Sequence, residues 1–185
     1  MEKIALITGA SRGIGRACAK ELARNNIKVI ANYNNSEIQA IELKQELLQE
    51  GIEIDLYRTD VTDKKQIKDM VQYILNKYGK IDILVNNAGI SQIKMFNDIT
   101  DEDWENMINT NLSSYFYVTR EVISNMIHNK NGCIINISSV WGITGGSCEV
   151  HYSASKAGII GMTLGLAKEV RTIKYKSKCH STRSN

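Results

Sequence analysis

The chain contains no proline in 185 residues, whereas average usage would give roughly nine. It also has no apolar run near the ~20 residues that a helix needs to cross a membrane, so we expect no membrane-spanning segment. The four cysteines and three histidines show no metal-ligand spacing. Their pattern predicts no metal site and indicates reduced thiols in a cytoplasmic protein.

The net charge of +3 comes from one end of the chain. Residues 171–185 hold five basic residues and no acidic residue, so residues 1–170 carry 18 of the 23 basic residues and all 20 acidic ones. Residues 1–170 are therefore mildly acidic and do not suggest a basic face, so we expect no nucleic-acid partner.

Short apolar runs alternate with amphipathic stretches along the chain. The runs predict strands at Ile4–Thr8, Lys28–Asn32, Ile52–Arg58, Ile81–Asn86 and Cys133–Ser138. The stretches predict helices at Gly13–Asn25, Ser36–Glu50, Asp63–Tyr78 after a Thr62 cap, a short one capped by Thr100 with Asp103, residues 111–128, and Tyr152–Val170. This order predicts an α/β fold, a Rossmann-type doubly wound parallel sheet with helices on both faces.

A glycine-rich loop joins the first strand to the first helix. It reads Thr8-Gly9-Ala10-Ser11-Arg12-Gly13-Ile14-Gly15. Glycines permit a tight turn there and let backbone N–H groups approach a pyrophosphate at the helix N-terminus. At the first strand–helix turn of this pattern the loop predicts a dinucleotide site, with Gly9, Ser11, Arg12, Gly13, Ile14 and Gly15 as contacts.

The end of the second strand bears on which dinucleotide is used. An acid there would hold the ribose 2′-hydroxyl of NAD, but the chain has Asn32-Tyr33-Asn34-Asn35, and we expect Asn32 to contact the cofactor. Arg12 without a nearby acid favours the 2′-phosphate of NADP(H). Asp60 and Val61, after the third strand, are expected to flank the adenine, although Asp60 could instead be a turn or capping residue.

Three polar residues near the C-terminus indicate proton-transfer chemistry. Tyr152 and Lys156 lie one helical turn apart and share a helix face. An ammonium beside the phenol would lower the tyrosine pKa and make Tyr152 a candidate general acid. Ser139 follows an apolar strand and could hold the same substrate oxygen; its neighbour Ser138 is the competing serine. Alone, the Tyr–Lys pair could also be an ordinary surface pair.

Together these residues resemble the classical short-chain dehydrogenases/reductases over residues 1–170. The matching motifs are Thr8–Gly15, Asp60-Val61, Asn86-Asn87-Ala88-Gly89, Asn111, Ser139 and Tyr152-Ser153-Ala154-Ser155-Lys156. The amino-acid sequences of residues 109–116 and 152–161 are similar to those of the 3-oxoacyl-[acyl-carrier-protein] reductase branch. Sugar and alcohol dehydrogenases of the same superfamily share much of these sequences and remain an alternative.

The resemblance implies a catalytic tetrad of Asn111, Ser139, Tyr152 and Lys156. Tyr152 would protonate a carbonyl oxygen held by Ser139, while Lys156 would lower the Tyr152 pKa and bind the nicotinamide ribose. Asn111 would anchor a water that links Lys156 to solvent. Small or amide residues would pass beneath the cofactor riboses, namely Asn87, Ala88 and Gly89. The family also implies a small-molecule or acyl-carrier-protein-linked substrate and a homo-oligomer, commonly a tetramer.

Residues 171–185 depart from the resemblance, which implies a sixth strand ending in Pro-Gly, a substrate lid and a seventh strand. We therefore predict a dinucleotide-binding domain with its catalytic residues over 1–170 and an aberrant basic tail over 171–185 that forms no buried strand. Permitted codons for the tail, read one base later, give G-P-S-N-I-K-V-N-A-I-A-P-G-V. We interpret the tail as a frameshift after Val170. The expectation is an unstable or inactive reductase, or else a dinucleotide-binding or subunit-interaction fragment.

Overall fold

A parallel sheet of six strands forms the centre of the computed structural model, which describes residues 2–170 and 174–182. The strands are β1 (Lys3–Ile7), β2 (Ile27–Tyr33), β3 (Asp55–Arg58), β4 (Ile83–Asn86), β5 (Asn131–Ser139) and β6 (Lys174–Thr182). Their spatial order is β3-β2-β1-β4-β5-β6. Successive strands are therefore added on one side of β1 up to β3 and on its other side from β4 onwards, and the predicted fold class is confirmed.

The helices follow the strands in alternation. They are α1 (Gly13–Arg24), α2 (Glu37–Gln49), α3 (Lys64–Tyr78), α4 (Asp101–Ile108), α5 (Ser114–His128), the short α6 (Trp141–Thr144) and α7 (Val150–Glu169). The predicted Thr100–Asp103 capping box is present. The cap of α3 is Asp63 rather than Thr62, because the Asp63 carboxylate accepts the N–H groups of Lys65 and Gln66.

Each face of the sheet packs against its own helices. One apolar cluster joins β1, β4 and β5 to α3 and α5 through residues such as Ile74, Leu84 and Val122. The opposite cluster joins β1 and β2 to α1 and α2 through residues such as Ala19 and Leu43. Burial on both faces explains why the strands read as apolar runs without alternation.

Lys174–Thr182 forms the strand β6, although the composition of the tail predicts no buried strand after residue 170. This segment pairs in parallel with β5 from Asn131↔Lys174 to Ser139↔Thr182. Backbone pairing needs only an open edge with free N–H and C=O groups, and β5 offers one whatever side chains arrive there. The rest of the predicted tail, 171–173 and 183–185, lies outside the described residues.

Within the described ranges, no helix is long and apolar enough to span a bilayer.

Candidate active site

The glycine loop after β1 lies against the turn after β4. A Cβ on Gly9, where φ is +62°, would lie 2.8 Å from the Cα of Ala88. A Cβ on Gly15 would collide with the Asn87 amide and the Gly9 carbonyl. Only glycine allows this approach, so the two turns meet at the carboxyl edge of the sheet.

Hydrogen bonds from Thr8 and Asn87 fix the meeting of these turns. The Thr8 hydroxyl accepts the N–H of Asn87 at 2.9 Å and that of Ala88 at 3.1 Å. The Asn87 amide donates to the Thr8 and Gly9 carbonyls, both at 3.0 Å. Asn87 is thus a structural brace as well as a residue of the candidate site.

A cleft of about 500 Å³ opens beside these turns. Nine of the predicted cofactor residues line it: Gly9, Ser11, Arg12, Ile14, Asp60, Val61, Asn87, Ala88 and Gly89. The sequence reasoning missed eight further lining residues: Tyr33, Asn34, Asn35, Ser36, Thr62, Ile90, Asn106 and Thr110. Four of the eight, Tyr33–Ser36, lie at the end of β2 or directly after it, and this position could have identified them from the sequence.

Asn32 does not line the cleft, in contrast to its prediction as a cofactor contact. Its side chain is 1% exposed. Its Oδ1 accepts the N–H of Gly9 at 3.3 Å, and its Nδ2 donates to the Thr59 carbonyl at 3.1 Å. Asn32 therefore holds the glycine loop from behind, because an amide buried at a strand end satisfies backbone groups around it. Gly13 and Gly15 also shape the loop without lining the cleft.

Asp60 lies in the cleft and also stabilises a turn, and its contact with an adenine stays a prediction. It lines the cleft, and its carboxylate also accepts the N–H and hydroxyl of Thr62 at 2.8 and 2.7 Å. The turn geometry and the cleft position are compatible because one carboxylate oxygen makes both bonds to Thr62.

Asn111 is completely buried in a π-helical turn, Asn109–Ser113, between α4 and α5. Its Oδ1 accepts the N–H of Ile90 at 2.8 Å, and its Nδ2 donates to the Ile90 carbonyl at 2.9 Å and the Ser155 hydroxyl at 3.3 Å. Asn111 therefore ties the segment after β4 to α7. A π turn of this kind is frequent at functional sites.

The two neighbouring serines of β5 have different partners. Ser138 donates to the Lys156 carbonyl at 2.8 Å. Ser139 accepts the N–H of Trp141 at 3.2 Å and lowers the pKa of Tyr152. Of the two, Ser139 is the serine that the structure brings near Tyr152.

The surroundings of Tyr152 shift its pKa. Burial raises the pKa of Tyr152 above its ordinary value, Ser139 lowers it and the charge of Glu149 raises it. The Lys156 ammonium lies 5.6 Å from the centre of the Tyr152 ring and donates to the Ile137 carbonyl at 3.1 Å. The lowering of the Tyr152 pKa by Lys156 stays a prediction.

His151, the residue before Tyr152, was not identified from the sequence. It is fully buried, and its Nε2 lies 2.9 Å from Oε1 of Gln92. Gln92 Nε2 donates to Asp103 at 2.8 Å, which leaves Oε1 to accept from His151. This chain links the first turn of α7 to the segment after β4 and to α4.

The sequence pattern of the family described as short chain dehydrogenase matches residues 3–177. The chain belongs to the short-chain dehydrogenase family. The match ends inside β6, so it covers all residues that form the candidate site of this short-chain dehydrogenase.

Curated relatives of this family member carry a more specific name. A 3-oxoacyl-[acyl-carrier-protein] reductase of Thermotoga maritima is 44% identical over 170 residues, which are 91% of this chain and 68% of that protein. One of Staphylococcus aureus is 36% identical over 170 residues, 92% of this chain and 69% of that protein.

A solved structure has the same fold. It is a metagenomic short-chain oxidoreductase in complex with NADP, 30% identical, with a TM-score of 0.93 over 98% of this chain and 82% of that one.

Proposed function

We propose that this short-chain dehydrogenase is an NADPH-dependent carbonyl reductase that converts 3-oxoacyl thioesters to 3-hydroxyacyl thioesters. The observation that carries the proposal is the position of Gly89. Gly89 lines the cleft, and a Cβ built on it would lie 3.7 Å from the Lys156 ammonium and 3.2 Å from Oδ1 of Asn111. Gly89 therefore connects the cleft to two residues of the predicted tetrad, Asn111 and Lys156.

The residues of the cleft fit NADP(H). The glycine loop and the N-terminus of α1 offer backbone N–H groups to a pyrophosphate. Arg12 lines the cleft near the end of β2, where residues 32–36 include no acid. The nearby Arg16 is paired instead with Glu46 at 2.9 Å. Arg12 would hold the 2′-phosphate, and Asn87, Ala88 and Gly89 would lie beside the riboses.

A bound nicotinamide dinucleotide would supply hydride to the carbonyl carbon. Tyr152 would donate its proton to the carbonyl oxygen as a general acid. Ser139 would hold the same oxygen. Lys156, buried beside Gly89, would bind the nicotinamide ribose. The water-anchoring role of Asn111 stays a prediction, since its amide is bonded to Ile90 and Ser155.

The names of the relatives support a thioester substrate, linked to an acyl carrier protein or to a smaller thiol. Two alternatives remain. In the first, the same residues act on a sugar or an alcohol; in the second, the chain is a non-catalytic fragment.

The proposal is tested by following NADPH oxidation with an acetoacetyl thioester, and in parallel with sugars and simple ketones. Replacing Tyr152 by Phe should lower kcat by about 10²–10⁴-fold, the usual range for loss of a general acid. Tyr73→Phe, an exposed tyrosine on α3, is the matched control and should not change kcat. Turnover of sugars alone would favour the alternative dehydrogenase, and no turnover of any carbonyl would contradict a reductase.

The choice of cofactor has its own test. Arg12→Ala should weaken NADPH binding about tenfold or more and leave NADH binding unchanged, because only NADPH carries the 2′-phosphate. Arg24→Ala, an exposed arginine at the far end of α1, is the control. Equal losses for the two cofactors would contradict the role of Arg12.

We infer that the chain self-associates through α5 and α7. An apolar groove of about 580 Å³ between these helices is lined by Phe116, Ile123, Ile127, Met162 and Leu166, among others. Phe116 on α5 is 47% exposed, and Leu164 on α7 is 59% exposed. Sedimentation of the wild-type chain and of Phe116→Asp should show an oligomer for the first and a smaller species for the second.

A further inference from the structure

Tyr115, on the first turn of α5, lies against Lys156. Its side chain is 1% exposed, and Lys156 is 4% exposed. The two residues come from α5 and α7 and are 41 positions apart in the chain, so the contact joins two separate helices.

Tyr115 and Lys156 donate to the same backbone carbonyl. The Tyr115 hydroxyl lies 3.2 Å from the Ile137 oxygen, and the Lys156 ammonium lies 3.1 Å from it. A carbonyl oxygen has two lone pairs and can accept both bonds. Ile137 is two residues before Ser139 on β5, so this shared acceptor belongs to the strand that also carries Ser139.

The ammonium of Lys156 also lies between two aromatic rings. It is 5.5 Å from the centre of the Tyr115 ring and 5.6 Å from that of Tyr152. Both distances are within the range of a cation–π attraction, which is stronger when the cation is desolvated. A buried ammonium on a flexible four-carbon stem needs such partners to keep one position.

We propose that Tyr115 is a positioning residue that holds the Lys156 ammonium beside Tyr152. The Tyr115 ring lies on one side of the ammonium, and the Ile137 carbonyl accepts its hydrogen bond. The effect on catalysis rests on the proposed reductase function, whereas the effect on the place of Lys156 does not.

Two variants separate the ring from the hydroxyl. Tyr115→Phe keeps the ring and removes one hydrogen bond to Ile137. Tyr115→Met removes the ring and fills the space with a flexible side chain, which limits the cavity. Met126→Ala, a buried change on the same helix but against the apolar cluster of α3, controls for lost stability alone.

The first readout needs no activity. In protein labelled with ¹³C at lysine Cε, the Lys156 resonance is assigned by its absence from Lys156→Arg. Its ring-current displacement should fall in Tyr115→Met and persist in Tyr115→Phe and Met126→Ala. An unchanged Lys156 resonance in Tyr115→Met would overturn the proposal, even if the wild-type chain reduced no thioester.

The second readout is the pH profile of thioester reduction. Tyr115→Met should lower kcat about tenfold or more with a smaller change in KM, because a misplaced catalytic group costs rate more than binding. Its pH profile should also move, while Tyr115→Phe and Met126→Ala keep the wild-type profile. Wild-type kcat and profile in Tyr115→Met would overturn the positioning role, and an inactive wild type would overturn the proposed function alone.

Discussion

At the scale of single residues, two side chains that the sequence marked for the site also bind backbone groups. Asn32 stands where a cofactor contact was expected, yet it is buried and bonded to Gly9 and Thr59. Lys156, which is predicted to act on Tyr152, donates to the Ile137 carbonyl. In both cases nearby backbone groups supply partners, because a buried polar group without a hydrogen bond costs free energy.

The bracing role of Asn32 predicts the effect of removing it. Asn32→Ala should lower the free energy of unfolding by about 1–3 kcal/mol, since several buried backbone groups lose a partner. It should also weaken NADPH binding through the loosened glycine loop. Urea denaturation and NADPH fluorescence measure the two effects. Asn97→Ala, at an exposed site, should change neither, and an equally stable Asn32→Ala chain would contradict the brace.

At the scale of elements, polar side chains join helices to the strand ends and segments that surround the site. His151 joins α7 to the segment after β4 through Gln92, and Asn111 joins that segment to α4 and α5. Asp55, at the other end of the sheet, joins β3 to the end of α3 through Lys77 and Tyr78, both at 2.6 Å. The apolar clusters hold the layers together, and these bonds set the exact approach of each helix end.

The His151–Gln92 pair can be measured by a double-mutant cycle. His151→Phe should lower the free energy of unfolding by about 1–3 kcal/mol, because the Gln92 oxygen stays buried without its donor. Adding Gln92→Leu should recover part of that loss, since two apolar groups need no partner. His128→Phe, an exposed histidine on α5, is the control. Strictly additive losses would contradict a direct bond.

Asp55 predicts how stability depends on acid. Burial raises the pKa of Asp55, but hydrogen bonds from Lys77 and Tyr78 outweigh it and lower the pKa to about 2. A carboxyl group with a lowered folded-state pKa stabilises the fold above its unfolded value near 4, and this contribution is lost as the pH falls towards 2.

The test compares wild type with Asp55→Asn by urea denaturation between pH 5 and about 2. The variant should be less stable at pH 5, and the gap should close as the pH falls. Asp98→Asn, an exposed aspartate, should follow the wild-type curve. A gap that stays constant down to pH 2 would show that the Asp55 charge is not the cause.

At the scale of the whole molecule, the sheet is completed by a segment whose composition did not predict a strand. Lys174–Thr182 pairs along the whole of β5, and α7 lies beside both strands. When codons permitted for the tail are read one base later, the apolar stretch I-K-V-N-A-I-A falls on positions of β6. The backbone position of β6 and the alternative reading therefore agree on where a sixth strand belongs.

This agreement gives a prediction for the tail. Replacing residues 171–184 by G-P-S-N-I-K-V-N-A-I-A-P-G-V should raise Tm by about 5 °C or more, because apolar side chains in β6 would be buried under α7. Calorimetry of the two chains measures the difference, and nucleotide reads across codon 171 check the frame directly. An equal or lower Tm with the replaced segment would contradict the frameshift interpretation.

The sequence by itself determined the order of strands and helices, the glycine loop at the first turn and the one-turn spacing of Tyr152 and Lys156. These are local properties, since apolar runs, glycines and helical spacing act within a few residues. The contacts of Asn32, the burial of His151, the place of Tyr115 against Lys156 and the strand at 174–182 came only from the tertiary structure. Each depends on groups that are distant in the chain and meet only when the sheet and its helices pack, so no local pattern encodes them.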